Sequence, residues 1–376
     1  MKVKFRIGLN LLHVIPGEVG GSENYSIQIL KAVDRYRSIE IEPVLFVLES
    51  FQEAHTELCE RFETVTCKIN GNNRFKRIIA ESTWLKIKTR RCDAVHHFGG
   101  RLPLWSKKPN LVTIHDLQPL EKPHNFSLIK RFFFRYTLPL TIKKAGMLVA
   151  ISDSVKQQLI EIFEINSELI HIVSTGIEEV AEKPNSPKEP LTIFYPAATY
   201  PHKNHRVLIN AFNRIAETNP DVRLVMSGGE GRAEEEVRKS VSISPVKERI
   251  FLTGRISSME MEAILKSSAV LAFPSTYEGF GIPVLEAMAS GVPVVVAKGT
   301  PAEKLPGDKS LKVEPYEVDD WVASLEILLA DGQLRQEIAK ENIEIAKRYT
   351  WDFSAEQLIL SWNKLNSLTK DENCVS

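Results

Sequence analysis

The sequence predicts an α/β protein built of two doubly wound, parallel-sheet domains, and three observations predict it. The chain has 376 residues, more than one ordinary domain holds. Short apolar runs alternate with segments of helical period, the pattern of parallel α/β domains. The alternation pauses at AEKPNSPKEP, residues 181–190, which has three prolines and no large apolar side chain and reads as an interdomain linker. Residues 1–180 then form a first domain and residues 191–350 a second.

In the first domain the runs Phe5–Leu9, Pro43–Leu48, Ala94–His97, Leu111–Ile114, Met147–Ile151 and Ile170–Val173 read as strands. Helical period marks Ser22–Tyr36, Arg74–Lys88, Ser127–Lys144 and Ser152–Phe163, and Ser152-Asp153 suits an N-cap. In the second domain, strands are expected at Thr192–Pro196, Arg223–Ser227, Ile250–Leu252, Val270–Phe273 and Pro293–Val296, with helices between them. Past Asp319 the chain reads as consecutive helices ending with Trp351–Leu368, and only the last few residues look disordered. No short repeat is present.

Composition excludes several classes. Hydrophobic residues make up 43% and charged residues 26%, as in soluble globular proteins. The formal net charge is zero, which gives no general attraction to nucleic acid. Residues 1–180 carry 25 Lys and Arg against 20 Asp and Glu, a mild basic bias that suits an anionic membrane surface or acceptor. Cys59, Cys67, Cys92 and Cys374 form no metal-ligand spacing, and a reducing, cytoplasmic compartment is expected. The N-terminal apolar run is interrupted by Arg6 and Asn10; it reads as a first buried strand rather than a signal peptide. No stretch is long enough to span a bilayer.

The most informative run is PSTYEGFGIPVLEAMASGVPVV. The strand Val270–Phe273 leads into a loop with Glu278. Gly279 and Gly281 let backbone approach a ligand, Pro283 suits a first helical turn, and Glu286 follows about one turn inside the helix. Carboxylates can accept from sugar hydroxyls, and helix-start amides can receive phosphate oxygens. Gly20-Gly21 opens a helix after the first strand, Gly228-Gly229 follows a strand, and His115-Asp116 follows Leu111–Ile114. All lie at carboxyl ends of strands, where open α/β sheets bind ligands. Gly20-Gly21 is no G-x-G-x-x-G fingerprint, which disfavours a nicotinamide oxidoreductase.

These motifs resemble the family 4 glycosyltransferases, retaining enzymes of the GT-B fold, over nearly the whole chain and most strongly from Leu191 to Pro315. The resemblance implies two Rossmann-like domains facing across a cleft, with the last helix, 351–370, crossing back to the first. It implies a nucleotide-diphosphate sugar as donor, with Glu278 at the sugar and Glu286 at the ribose. Gly279, Phe280, Gly281 and Ile282 line the donor, Gly20 and Gly21 lie against its diphosphate, and Gly254 and Ile256 meet the nucleobase. His115 positions the donor sugar, and Asp116 orients the imidazole or the loop. Lys203, in the run PHKN, neutralises the leaving diphosphate. The family usually has an arginine a few residues earlier. Here 197–200 reads Ala-Ala-Thr-Tyr, so Thr199, His202 or Arg206 contributes instead, or the diphosphate is held less tightly. Glu303 reads as structural.

No D-x-D stands in a strand-end loop and Asp319-Asp320 begins a helix, so no metal or other cofactor is expected. GDP-mannose is the favoured donor, because relatives with PHKN-type motifs resemble mannosyltransferases; UDP-glucose and UDP-N-acetylhexosamine stay open. The acceptor expected is a glycan or lipid-linked glycan. Two other classes remain: a sugar-nucleotide epimerase of the same fold, and a binding protein with a decayed donor site. Residues 127–144, SLIKRFFFRYTLPLTIKK, interleave aromatic and basic side chains. One reading is a segment at the cytoplasmic face of an anionic membrane. The other, preferred from sequence, is a helix packed in the first domain with its charges outward, bent at Pro139.

Overall fold

A computed structural model describes residues 4–17, 21–36, 40–104, 106, 108–182, 184, 186–187 and 190–375, without side chains at 125 and 371–375. The chain divides into two compact units, Met1–Gly176 with Thr350–Ser376, and Ile177–Tyr349. Segment 177–181 belongs to the second unit: the Ile177 N–H donates to the Tyr349 carbonyl and the Ala181 N–H to that of Ala289. Of the expected linker, residues 183, 185, 188 and 189 lie outside the described residues.

The first unit holds β1 (Phe5–Asn10), β2 (Ile41–Leu48), β3 (Glu63–Cys67), β4 (Ala94–His97), β5 (Asn110–Ile114), β6 (Met147–Ala150) and β7 (Ile170–Ile172). They form one sheet in the order β3-β2-β1-β4-β5-β6-β7, and every pair is parallel. Strands β4, β5 and β6 are buried along their whole length, as parallel strands covered on both faces must be. Arg6 and Asn10, the polar breaks in the first strand, each have partners. The Arg6 guanidinium donates to Glu42 at 2.9 Å and Glu63 at 2.8 Å across β2 and β3. Asn10 bonds His97 at the other end of the sheet.

The second unit holds β8 (Thr192–Pro196), β9 (Arg223–Ser227), β10 (Ile250–Gly254), β11 (Val270–Phe273), β12 (Val294–Ala297) and β13 (Leu311–Val313). Their order is β10-β9-β8-β11-β12-β13, again all parallel. Each sheet reverses its strand order once, between β1 and β4 and between β8 and β11. Such reversals open a crevice at the carboxyl ends of the strands.

Several local details differ from the sequence reading. The expected helix over 74–88 is two helices, Arg74–Ser82 and Trp84–Lys88. They part at Thr83, whose hydroxyl donates to the Ile79 carbonyl at 2.7 Å, a side-chain bond that competes with the helical ladder. Strands β3 and β13 were not expected. The terminal helix runs from Trp351 through Val375; of the last few residues expected to be disordered, Ser376 lies outside the described residues. That helix belongs to the first unit, where it packs along Gly21–Arg35. It buries Trp362 completely, and the indole N–H donates to Nδ1 of His96 at 3.2 Å. Cys59, Cys67 and Cys92 are buried free thiols. No described helix is long and apolar enough to cross a membrane.

Candidate functional site

In the second unit the reversal point gathers the loops after β8 and β11. After β8 the chain makes one turn of 3-10 helix, Pro201–Lys203, and Asn204 takes a left-handed φ of 52° before the helix His205–Thr218. Three hydrogen bonds hold this turn. The buried Tyr195 hydroxyl donates to the Lys203 carbonyl at 2.6 Å. Asn204 Nδ2 donates to the Pro315 carbonyl at 2.6 Å, and the Thr276 N–H donates to the His202 carbonyl at 2.7 Å. The last of these ties the β8 loop to the β11 loop. Lys203 Nζ therefore meets Glu278 Oε1 at 2.6 Å, above the Phe273 ring at 5.9 Å. Both side chains keep some access, 19% for Lys203 and 13% for Glu278, so a ligand can reach the pair.

Gly281 N-caps the helix Ile282–Ala289, with φ 118° and Pro283 in the first turn. A Cβ there would lie 2.7 Å from Ala302 Cβ. Both the left-handed backbone and the close approach require glycine. Gly281→Ala is expected to destabilise the protein by about 1–3 kcal/mol and to weaken donor binding through a displaced helix start. Chemical denaturation and ligand titration measure the two effects. Glu286 lies just over one turn inside this helix, enclosed by protein although part of it is accessible; desolvation raises its carboxyl to about 7. Phe280 is buried and its ring meets Tyr349 edge-on.

The ends of β8, β9 and β10 also converge. The Gly228 N–H donates to the Gly254 carbonyl at 2.9 Å, and a Cβ at Gly228 would meet the Ala197 carbonyl oxygen at 2.3 Å. Ile256 is half-buried in the loop that follows Gly254. The candidates for the missing arginine are all engaged or neutral. Thr199 is buried; its hydroxyl accepts from the Gly231 N–H at 2.7 Å and donates to Glu234 at 2.6 Å. Burial pushes the His202 imidazole down to about 3. Arg206 is exposed and pairs with Glu236 at 3.8 Å. Glu303 accepts the Gly299 N–H at 2.8 Å and closes its loop.

In the first unit, His115 sits directly after β5. Its Nε2 lies 3.0 Å from the Phe98 carbonyl, which only an Nε2–H can satisfy. Tyr25 meets the ring edge-on, with centroids 5.4 Å apart. Desolvation lowers the imidazole's pKa, against the opposing effect of the Phe98 bond, so His115 is neutral near pH 7. Asp116 accepts from the Gln118 N–H at 2.9 Å and shapes the loop. Gly21 begins its helix; Gly20 lies outside the described residues.

Sequence reasoning passed over His13 and His97. His97 follows β4's apolar core, and Asn10 Nδ2 donates to its Nδ1 at 3.0 Å. His13 lies in the loop after β1; among the described residues its ring nitrogens are buried and have no partner, and desolvation holds it near 3. The available signal was position: His97 ends β4 and His13 follows β1, the strands that flank the reversal point.

Comparison with known proteins follows the same division. Residues 176–345 match the model described as "Glycosyl transferases group 1" and residues 19–179 that described as "Glycosyltransferase Family 4". The chain is similar to the O-antigen chain mannosyltransferase RfbU of Salmonella typhimurium, 25% identical over 67% of this chain and 68% of that one. It is also similar to the D-inositol 3-phosphate glycosyltransferase of Corynebacterium glutamicum, 26% identical over 59% of this chain and 58% of that one. Among solved structures, Anabaena HepE in complex with UDP and glucose superposes with a TM-score of 0.73 at 18% identity, covering 96% of this chain and all of that one. The sucrose-phosphate synthase of Thermosynechococcus elongatus superposes with a TM-score of 0.76 at 15% identity, over 97% of this chain and all of that one. These structural likenesses establish the GT-B fold.

Proposed function

We propose that this chain, which belongs to the group 1, family 4 glycosyltransferases, moves a hexose from a nucleotide-diphosphate sugar to a glycan or lipid-linked glycan with retention of configuration. The observation that carries the reading is the Lys203–Glu278 pair at the reversal point of the second sheet, 2.6 Å apart and accessible. A cation and a carboxylate side by side suit a ligand that is anionic at one end and rich in hydroxyls at the other.

In this reading the donor's diphosphate takes Lys203 Nζ, with the helix start at Gly281 supplying backbone N–H groups. Glu278 then accepts from sugar hydroxyls. Glu286 accepts from the ribose. His115, neutral, lies at the donor sugar. The bond from the anomeric carbon to the diphosphate oxygen breaks, and the nucleoside diphosphate leaves with the electron pair. The acceptor hydroxyl oxygen bonds to the anomeric carbon on the same face. Its proton passes to the departing diphosphate oxygen, so no separate base is needed. Lys203 and the helix amides take the electrostatic role that a divalent ion has in other transferases. GDP-mannose is the first donor to test, supported by the mannosyltransferase relatives; these also support cell-surface glycan synthesis as the setting.

The test is a thermal-shift panel of GDP-, UDP- and dTDP-sugars on the wild type and on Glu286→Ala. A ligand at about 100 times its Kd adds roughly 2.7 kcal/mol, a shift of a few degrees. One nucleotide family should stabilise the wild type and not the variant. Donor turnover without acceptor to an epimeric sugar nucleotide, read by NMR, would instead favour an isomerase. No shift with any nucleotide would favour a decayed donor site.

A further inference from the structure

The helix Leu128–Lys144 runs unbroken through Pro139, and it leaves five of its large apolar side chains exposed. Leu128 is 77% exposed, Ile129 82% and Phe132 67%, with Tyr136 and Leu140 over half exposed. Leu128, Phe132, Tyr136 and Leu140 recur every four residues and so share one face, and the Phe132 and Tyr136 rings touch at 4.7 Å. Only Leu138, Thr141 and Ile142 of this helix are buried. The packed-helix reading preferred from sequence therefore holds for the outward charges and for the buried Leu138, Thr141 and Ile142, but not for the exposed apolar face.

The surface continues onto a second helix. The Arg74 guanidinium lies 4.7 Å from the Phe133 ring and 5.2 Å from that of Phe134, which joins Arg74–Ser82 to the longer helix. On Arg74–Ser82, Phe75 is 77% exposed and Ile79, one turn on, 59%. The loop at Leu104, 67% exposed, bridges the two helices: the Leu104 N–H donates to Ser82 Oγ and the Leu102 N–H to Thr141 Oγ. A contiguous apolar area of this kind on one unit marks an interaction surface.

Charge selects the occupant. From Lys122 to Ser152 the chain has no acidic residue, and from Lys68 to Cys92 its only acid is Glu81. Glu81 is buried and paired with Arg101, so it presents no charge outward. Exposed Lys76, Arg131, Arg135, Lys143 and Lys144 interleave with the aromatic and aliphatic side chains. A second copy of this surface would bring cations against cations. A bilayer with anionic headgroups satisfies both parts, because side chains such as Phe132 enter the acyl boundary while the cations stay at headgroup level. We propose that this face of the first unit docks on an anionic phospholipid membrane, lying on it rather than crossing it. The inference does not depend on the identity of the donor.

Flotation with vesicles tests it. The full chain is mixed with phosphatidylcholine vesicles, pure or with about 30 mol% phosphatidylglycerol, at about 0.05 and 0.5 M NaCl. Wild type should float with the anionic vesicles at low salt and be released at high salt. Ile129→Ser/Phe132→Ser should lose at least about tenfold in partitioning, and Arg131→Gln/Arg135→Gln roughly fivefold per cation. Both pairs of substitutions are on exposed positions, and an unchanged melting temperature confirms folding. Absence of binding to anionic vesicles overturns the proposal. So does equal binding to neutral ones, or a concentration-dependent dimer, seen by light scattering, that the apolar variant abolishes.

Discussion

Lys203→Ala is expected to lower kcat for sugar transfer about 10²–10³-fold, the effect of losing one preorganised electrostatic stabiliser of developing charge. The backbone that carries the ammonium is held in place, since the Lys203 carbonyl accepts from Tyr195 and the neighbouring turn is tied to the β11 loop, and Glu278 positions Nζ itself. It can thus meet a leaving diphosphate without reorganisation. The substitution also leaves Glu278 without its 2.6 Å partner, and an unpaired, mostly buried carboxylate destabilises the fold. Glu278→Ala in the same chain should restore the melting temperature and leave kcat low. Nucleotide release under saturating donor measures kcat, and a value within about threefold of wild type would remove Lys203 from the mechanism.

Donor affinity should rise with pH because of Glu286. Desolvation raises its carboxyl from 4.5 to about 7 in the unliganded protein, so much of it is protonated at pH 6. In the proposed reading the ribose hydroxyls bind the ionised form, which accepts two hydrogen bonds. The donor should bind about tenfold more weakly at pH 6 than at pH 8. The same shift has a stability consequence of definite sign. Between the unfolded and folded pKa values the native state holds the extra proton, so Glu286 contributes a loss of stability as pH rises from 4.5 toward 7, totalling up to about 3 kcal/mol. Glu286→Gln should bind donor weakly with no pH slope and remove that loss. Calorimetric titration at several pH values reads the first effect; an identical slope in the Gln variant would assign the titration to another group.

Those two carboxylates show how far local reading reaches. Strand Val270–Phe273, a loop at Glu278 and a helix opened by Gly281-Ile282-Pro283 follow from short-range chemistry, because apolar runs, a left-handed glycine and a proline in the first turn act on adjacent residues. The Ser152 N-cap is of the same kind: its side chain accepts from the Val155 N–H. Strand β3, ETVTC, escaped because it lies at a sheet edge with only Cys67 buried, which removes the apolar run that reveals a strand. Strand β13 has three residues, too few for a period to appear.

By itself the sequence determined the alternation of strands and helices, the division into two domains' worth of sheet, and the residue types at each strand end. Tertiary structure alone decided the strand orders, the contact of Lys203 with a glutamate 75 positions away, the engagement of Thr199 with Glu234, and the exposure of the aromatic helix. The physical reason is range. Propensity and capping are set within a few residues, whereas pairing and burial depend on which distant segments the packed sheets bring to the same place.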